Sequence, residues 1–411
     1  MLRLARVLMV ARAAAFSWGG SPPSPVEAPS RHATLDGSNR LWAKRRQLQE
    51  GERKMRVIDG DGHVIEDGDA IAKFMPNGYR GKIFPQLDHF HDAGKFNERR
   101  EGGSGLASPP DAKGWTTFLE DAEIDWTVLY PTWGLAVGRI IDRDFALASC
   151  RAYNDWLHEA FTGQDKRLKG MALIPVQDPA AAVDELERAV TELGMCGAML
   201  PSNGDGMKAH LGDKIYWPIY EKAQELGCPL AVHGGVHHHM GFDTYSTYYG
   251  AHALGHPFGI IIQCVGMLTH GVFDAFPKLK VGYLEGGASW VPFVLDRIDL
   301  SHRAHHQVNP DGTPVAGNPR PGEGASDYLL RFMHEGRIFV GYECDDESLG
   351  YAVQRAGRQP FMFASDFPHE STSAKYCRGE INEVLRREDL DNADKEALLA
   401  GNTVVFYGGD V

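Results

Sequence analysis

From Met55 onward, short runs rich in β-branched residues alternate with stretches whose apolar residues recur at helical spacing. The runs predict strands over Val57–Asp61, Trp126–Tyr130, Leu168–Ile174, Gly197–Leu200, Pro229–His233, Lys280–Glu285, Ile338–Gly341 and Pro360–Ala364. Between them lie amphipathic stretches. Ala180–Leu193 places Val183, Leu186, Val190 and Leu193 on one helical face, and Tyr216–Leu226 is another. Alternation repeated eight times reads as an α/β fold closed into a (β/α)8 TIM barrel, with a doubly wound open sheet as the competing architecture. Residues 101–114 and 309–325 are rich in Gly and Pro and read as inserted loops or lids. A long segment, 236–262, carries histidines and aromatic residues between the fifth and sixth strands.

Residues 1–54 lack this pattern. They open with Arg3, Arg6 and Arg12, have no acid before Glu27, and continue through a Pro/Ser-rich stretch and a charged one. Such a segment buries little apolar surface and reads as a disordered extension, a transit-peptide-like leader or a dispensable front to a chain starting at Met55. The expected organisation is therefore a basic extension, 1–54, and one barrel domain, 55–411.

Length leaves room for this: barrels run from about 200 residues to beyond 400 with insertions. A chain that is 43% hydrophobic and 24% charged is ordinary for a globular protein. The net charge of −13 is unevenly spread, +6 on residues 1–54 and −19 on the remainder, and an acidic body disfavours nucleic acid. No apolar run approaches the roughly 18 residues of a membrane span, so no membrane association is expected. The six cysteines are scattered without a CxxC pair, which suits a reducing compartment and a cytoplasmic location, or an organellar one if residues 1–54 are a leader.

The C-terminal ends of barrel strands carry function. In order they present Asp61 with His63, then His233, Glu285 and Asp366. Residues i and i+2 of a strand share a face, so Asp61 and His63 can reach one ion. Imidazole with carboxylate suits a borderline divalent metal. His252 and His256 are four apart and would share a helical face, which leaves open a second ion with Glu285, or substrate contact or packing. The consecutive His237, His238 and His239 cannot converge on one strand face and read as loop. No GxGxxG follows a strand, and no GxxxxGK[ST] or GxSxG occurs, which removes nucleotide-cofactor and ordinary serine-hydrolase readings.

The string Val57-Ile58-Asp59-Gly60-Asp61-Gly62-His63-Val64-Ile65-Glu66 resembles the opening of the amidohydrolase-related barrels, the group of aminocarboxymuconate-semialdehyde decarboxylase. The likeness continues through YNDWLHEAF (153–161), GMALIPVQDP (170–179), Val232-His233, GHPFG (255–259), FPKLKVGYLEGGASWVPFVLDRID (276–299), FMFASDFPHE (361–370) and GNTVVFYG (401–408). It implies a metal held by Asp61, His63, His233 and Asp366, with Zn first and Mn or Fe as alternatives. It also implies Asp366 as proton acceptor for metal-bound water. Glu285 stands where the decarboxylases usually carry a histidine, and is expected to act as acid/base, ligand or support. Glu66, His252, His256 and His369 are expected in supporting or substrate-contacting positions.

The site then favours a metal-dependent hydrolase attacking a carbonyl-type carbon of a small acid. The alternative is a non-oxidative decarboxylase; an iron oxygenase and a non-catalytic barrel stand further off. Trp133, Tyr245, Tyr248, Tyr249 and Trp290 near strand ends suggest an aromatic or unsaturated small-molecule substrate. Related barrels often pair, so a homodimer is an expectation the resemblance carries.

Overall fold

The computed structural model describes residues 55–79, 109–246, 248–305, 308–309, 312–313, 315–369 and 373–409. The expectations for residues 1–54 and 101–108 lie outside the described residues. Eight parallel strands run in sequence order around one sheet: β1 (Asp59–Val64), β2 (Thr127–Pro131), β3 (Leu168–Leu173), β4 (Gly197–Pro201), β5 (Leu230–His233), β6 (Val281–Leu284), β7 (Ile338–Tyr342) and β8 (Phe361–Phe363). His63 N–H donates to Phe367 O at 2.7 Å and Asp366 N–H to Asp61 O at 3.0 Å, which closes the ring between β1 and the residues beyond β8. The fold is the TIM barrel the alternation predicts, not an open sheet. Strands wrapped by helices are covered on both faces, which is why they read as short continuous apolar runs.

The crossovers supply α1 (Ala112–Ala122), α2 (Arg143–Leu157), α3 (Pro179–Thr191), α4 (Trp217–Leu226), α5 (Tyr248–Thr269), α6 (Trp290–Ala304), α7 (Ala325–His334), α8 (Leu349–Ala356) and α9 (Ala374–Arg386). Side chains set their starts: Asp111, Asp142, Asp178 and Ser373 each accept a backbone N–H of the first turn of α1, α2, α3 and α9. Asp111 thus makes the end of the predicted 101–114 loop a helix start.

Two expectations need correction. The first strand begins at Asp59 rather than Val57 and runs to Val64, so Asp61 and His63 lie inside it. Asp59 is wholly buried and takes Thr127 Oγ1 at 2.6 Å and Ser365 N and Oγ at 2.8 Å. Those bonds explain how a polar stretch forms a barrel strand. The second concerns 236–262: its latter part is α5, in which Tyr249–Thr269 is 21 residues long with a mean hydropathy of 1.3, long and apolar enough to cross a membrane. Half of that stretch is buried within the fold. The run escapes a search for unbroken hydrophobicity because His252, His256 and Gln263 interrupt it.

Candidate metal centre at the barrel mouth

The D-x-H pair depends on the residue between its members. A Cβ at position 62 would meet Trp115 Cη2 at 2.5 Å and Thr127 Oγ1 at 2.8 Å, so Gly62 lets β1 press against α1 and β2. With that face closed, Asp61 and His63 both turn into the barrel, where both are buried. His63 Nδ1 lies 2.8 Å from Pro131 O, so Nδ1 carries the proton and Nε2 presents its lone pair inward. That Nε2 is 3.5 Å from Asp61 Oδ1 and 3.3 Å from Asp366 Oδ1 and makes no hydrogen bond. Burial, with His369 adding to it, pushes His63 down to about 3, so the ring is neutral.

His233, the last residue of β5, repeats the arrangement. Its Nδ1 lies 3.0 Å from Gly234 O and 3.2 Å from Glu285 Oε2, and its Nε2 lies 3.2 Å from Asp61 Oδ1. Burial opposes a charge on His233, but the Asp61 and Glu285 carboxylates outweigh it and raise its pKa. A carboxylate oxygen against an imidazole nitrogen whose partner nitrogen already donates needs a cation or a proton between them. A divalent ion meets that need, and the donor set of two imidazoles and two carboxylates fits one.

Asp366 and Glu285 both stand in left-handed backbone, at φ 48° and 62°, a conformation costly for non-glycine residues and frequent at functional sites. Asp366 Oδ1 is 2.9 Å from His369 Nδ1. The other His369 nitrogen lies 2.7 Å from Thr132 Oγ1, whose own proton goes to Val64 O at 2.8 Å. Both nitrogens of His369 thus face acceptors, and its ring stacks on His63 at 4.1 Å. Glu285 is set one layer back: Oε2 lies 2.9 Å from His256 Nδ1 and 3.2 Å from the outer nitrogen of His233. Burial would raise its pKa, but His256 and His233 hold it well below the usual carboxylate range.

Two donor groups converge in the barrel, Asp61–His63–His233 and His63–Asp366–His369. His252, His256 and Glu285 do not form such a group among the described residues; His256 stacks edge-on against His237 and lies beside His252. Glu66 proves to be a turn-capping residue. Its carboxylate accepts Thr132, Trp133 and Gly134 N–H at 2.8–3.1 Å, fixing the turn after β2.

A cavity of about 430 Å³ adjoins the cluster, lined by His252, His256, Glu285, Glu343, Asp366 and Tyr376 among others. Glu343, just past β7, is a lining residue that the sequence motifs do not single out; its place at a strand end is the signal for it. The predicted aromatic lining is not found there. Trp290 is buried against Tyr283, Tyr249 is exposed, neither Trp133 nor Tyr245 borders the cavity, and the Tyr248 side chain lies outside the described residues.

Residues 134–409 match the family model described as Amidohydrolase. The chain belongs to the amidohydrolase family. The match begins beyond Asp61 and His63, which lie on β1 of the same barrel. Within it, the protein groups with the aminocarboxymuconate-semialdehyde decarboxylase-like enzymes, and is itself an enzyme. It is 27% identical to 2-amino-3-carboxymuconate-6-semialdehyde decarboxylase of Dictyostelium discoideum, over 64% of this chain and 68% of that one. It is 31% identical to a gamma-resorcylate decarboxylase of Polaromonas sp., over 65% of this chain and 78% of that one. The fold of this amidohydrolase also matches a solved 5-carboxyvanillate decarboxylase of Novosphingobium aromaticivorans, described with manganese and a nitrobenzoic acid. The TM-score is 0.65 at 19% identity, covering 87% of this chain and 97% of that one.

Proposed function

We propose that this amidohydrolase is a divalent-metal-dependent, non-oxidative decarboxylase of a hydroxylated aromatic or unsaturated acid. The hydrolytic reading of the same ligands gives way to its alternative because the curated relatives aligned over about two thirds of the chain are decarboxylases. The observation that carries the metal is the buried set Asp61, His63, His233 and Asp366, with the lone pair of a neutral imidazole turned toward two carboxylates. That set suits Mn as well as Zn.

A bound ion would supply the positive charge that chelates the substrate carboxylate with a neighbouring hydroxyl or carbonyl. Asp366, paired with His369 Nδ1 at 2.9 Å, is the group placed to move a proton to the substrate carbon. The bond from that carbon to the carboxylate then breaks, its electron pair restores the ring or enol double bond that took up the proton, and CO2 leaves. Glu285 and His256 hold His233 in orientation from behind. No lysine or arginine is among the described residues lining the cavity, where His252, His256 and Tyr376 are the neutral side chains able to donate to a substrate anion.

The test is turnover of metal-loaded enzyme on a panel of hydroxybenzoic and unsaturated acids in D2O. Decarboxylation releases CO2 and leaves deuterium at the vacated carbon. Incorporation of solvent oxygen without CO2 release would return the reading to hydrolysis or hydration.

A further inference from the structure

We propose that Asp205, His238 and His239 form a second, solvent-accessible site for a divalent transition-metal ion, on the barrel rim between the segments that follow β4 and β5. It is separate from the buried cluster and does not rest on the decarboxylase reading.

Two adjacent histidines on an extended chain point apart. Here His239 has φ 58°, and this left-handed turn brings its ring onto that of His238, with centroids 3.9 Å apart and planes 23° from parallel. The stacked rings grip one carboxylate from two sides: His238 Nδ1 lies 3.1 Å from Asp205 Oδ2, and His239 Nε2 lies 3.1 Å from Asp205 Oδ1. The three donor atoms fall within 4.8 Å of one another, the spacing of ligands around a single ion. Asp243 stands behind the pair. Its Oδ1 accepts the His239 backbone N–H at 3.1 Å and stands 3.8 Å from His238 Nε2, the outer nitrogen, as a carboxylate behind a metal-bound histidine does.

The backbone holds these donors in place without an ion. Gly206 N–H donates to Gly138 O at 2.8 Å, and a Cβ at 206 would come within 2.0 Å of Ile140 O. A Cβ at 204 would come within 2.2 Å of Gly138 O, so Asp205 is pinned between two close backbone approaches. Asn203 Nδ2 donates to His238 O and ties the two segments together. Two imidazoles and one carboxylate, with the remaining positions open to water, match Zn, Co, Ni or Cu rather than Mg or Ca. The site touches the interior through His237, whose buried ring packs at 4.6 Å on His256, the partner of Glu285. An ion on His238 and His239 therefore stiffens the rim next to the residues that orient His233.

Co2+ is the probe, titrated into tag-free, chelator-treated protein by calorimetry and visible absorption. The wild type is expected to bind in two classes. D205N/H239A is expected to lose the second class, weakening that affinity at least tenfold, while keeping the first. Asp61→Asn is expected to do the reverse. A single class that D61N abolishes and D205N/H239A leaves intact would overturn the rim site and leave the buried one standing. Diethyl pyrocarbonate footprinting of the wild type needs no variant: Co2+ should protect His238 and His239 from modification, and unchanged labelling overturns the proposal.

Discussion

At the scale of single residues, the two strained carboxylates separate by what stands behind them. Asp366 opens onto the cavity and its Oδ1 is shared by His63 and His369. Glu285 reaches the cluster through the outer nitrogen of His233. Their substitutions should therefore fail differently. Asp366→Asn should lower kcat by about 10²–10⁴-fold, the range for loss of a positioned acid or base, and added metal should not restore it. Glu285→Gln should weaken metal affinity by roughly 10–100-fold, as loss of a partner behind a ligating histidine does, with kcat recovering at saturating metal. Metal content by atomic emission beside CO2 release distinguishes them; full activity in Asp366→Asn removes its catalytic role. The chemistry of this cluster was legible in the sequence because each donor sits at or just past a strand end. Asp205 was not, since exposed acids after strands carry no distinguishing spacing, and Glu343, though just past β7, is one of several acids clustered there. The convergence of His238 and His239 depends on one positive φ that sequence does not disclose.

At the scale of elements, the eight strands were readable because burial on both faces leaves little polar alternation to obscure them. The limits of that signal appear where buried polar residues replace apolar ones, at Asp59 in β1 and at His256 and Gln263 in α5. Glu66 is another, and it joins two elements: it follows β1 yet fixes the turn after β2 through three N–H donors. Burial lifts its carboxyl from 4.5 to about 7, against those hydrogen bonds. The folded state thus holds the proton more tightly than the unfolded chain. The stability this group contributes is fully present below about pH 4.5 and is lost as pH rises to about 7. At about 1.4 kcal/mol per unit, the change across that window is on the order of 2–3 kcal/mol. Glu66→Gln removes the titration, so the wild-type minus variant difference in unfolding free energy should fall by that amount between pH 5 and pH 7. Parallel pH profiles from denaturant melts would show that Glu66 ionises normally.

At the scale of the whole molecule, the candidate metal centre coincides with the weakest seam of the barrel. Neighbouring strands from β1 through β8 pair along parallel ladders, with one register shift between Asp59 and Gly62 of β1. Between the β1 end and the β8 end, the described backbone bonds are His63 N–H to Phe367 O and Asp366 N–H to Asp61 O. Asp61 and His63 lie on one side of this seam and Asp366 on the other, so an ion held by all three ties it shut, with His233 adding β5. Without the ion, the same atoms bring two carboxylates toward a buried, neutral ring. Chelation should therefore act locally before it acts globally. An ion at a hundred times its dissociation constant stabilises the fold by about 2.7 kcal/mol, so its removal should lower the melting temperature by several degrees, reversed by Mn or Zn. Hydrogen exchange gives the sharper reading: in chelated protein the amides of His63 and Asp366 should exchange faster, while those of β4 and β5 such as Met199 and Ala231 hold their protection. Uniform acceleration around the ring would mean that the ion stabilises the barrel as a whole and that the seam has no special dependence on it.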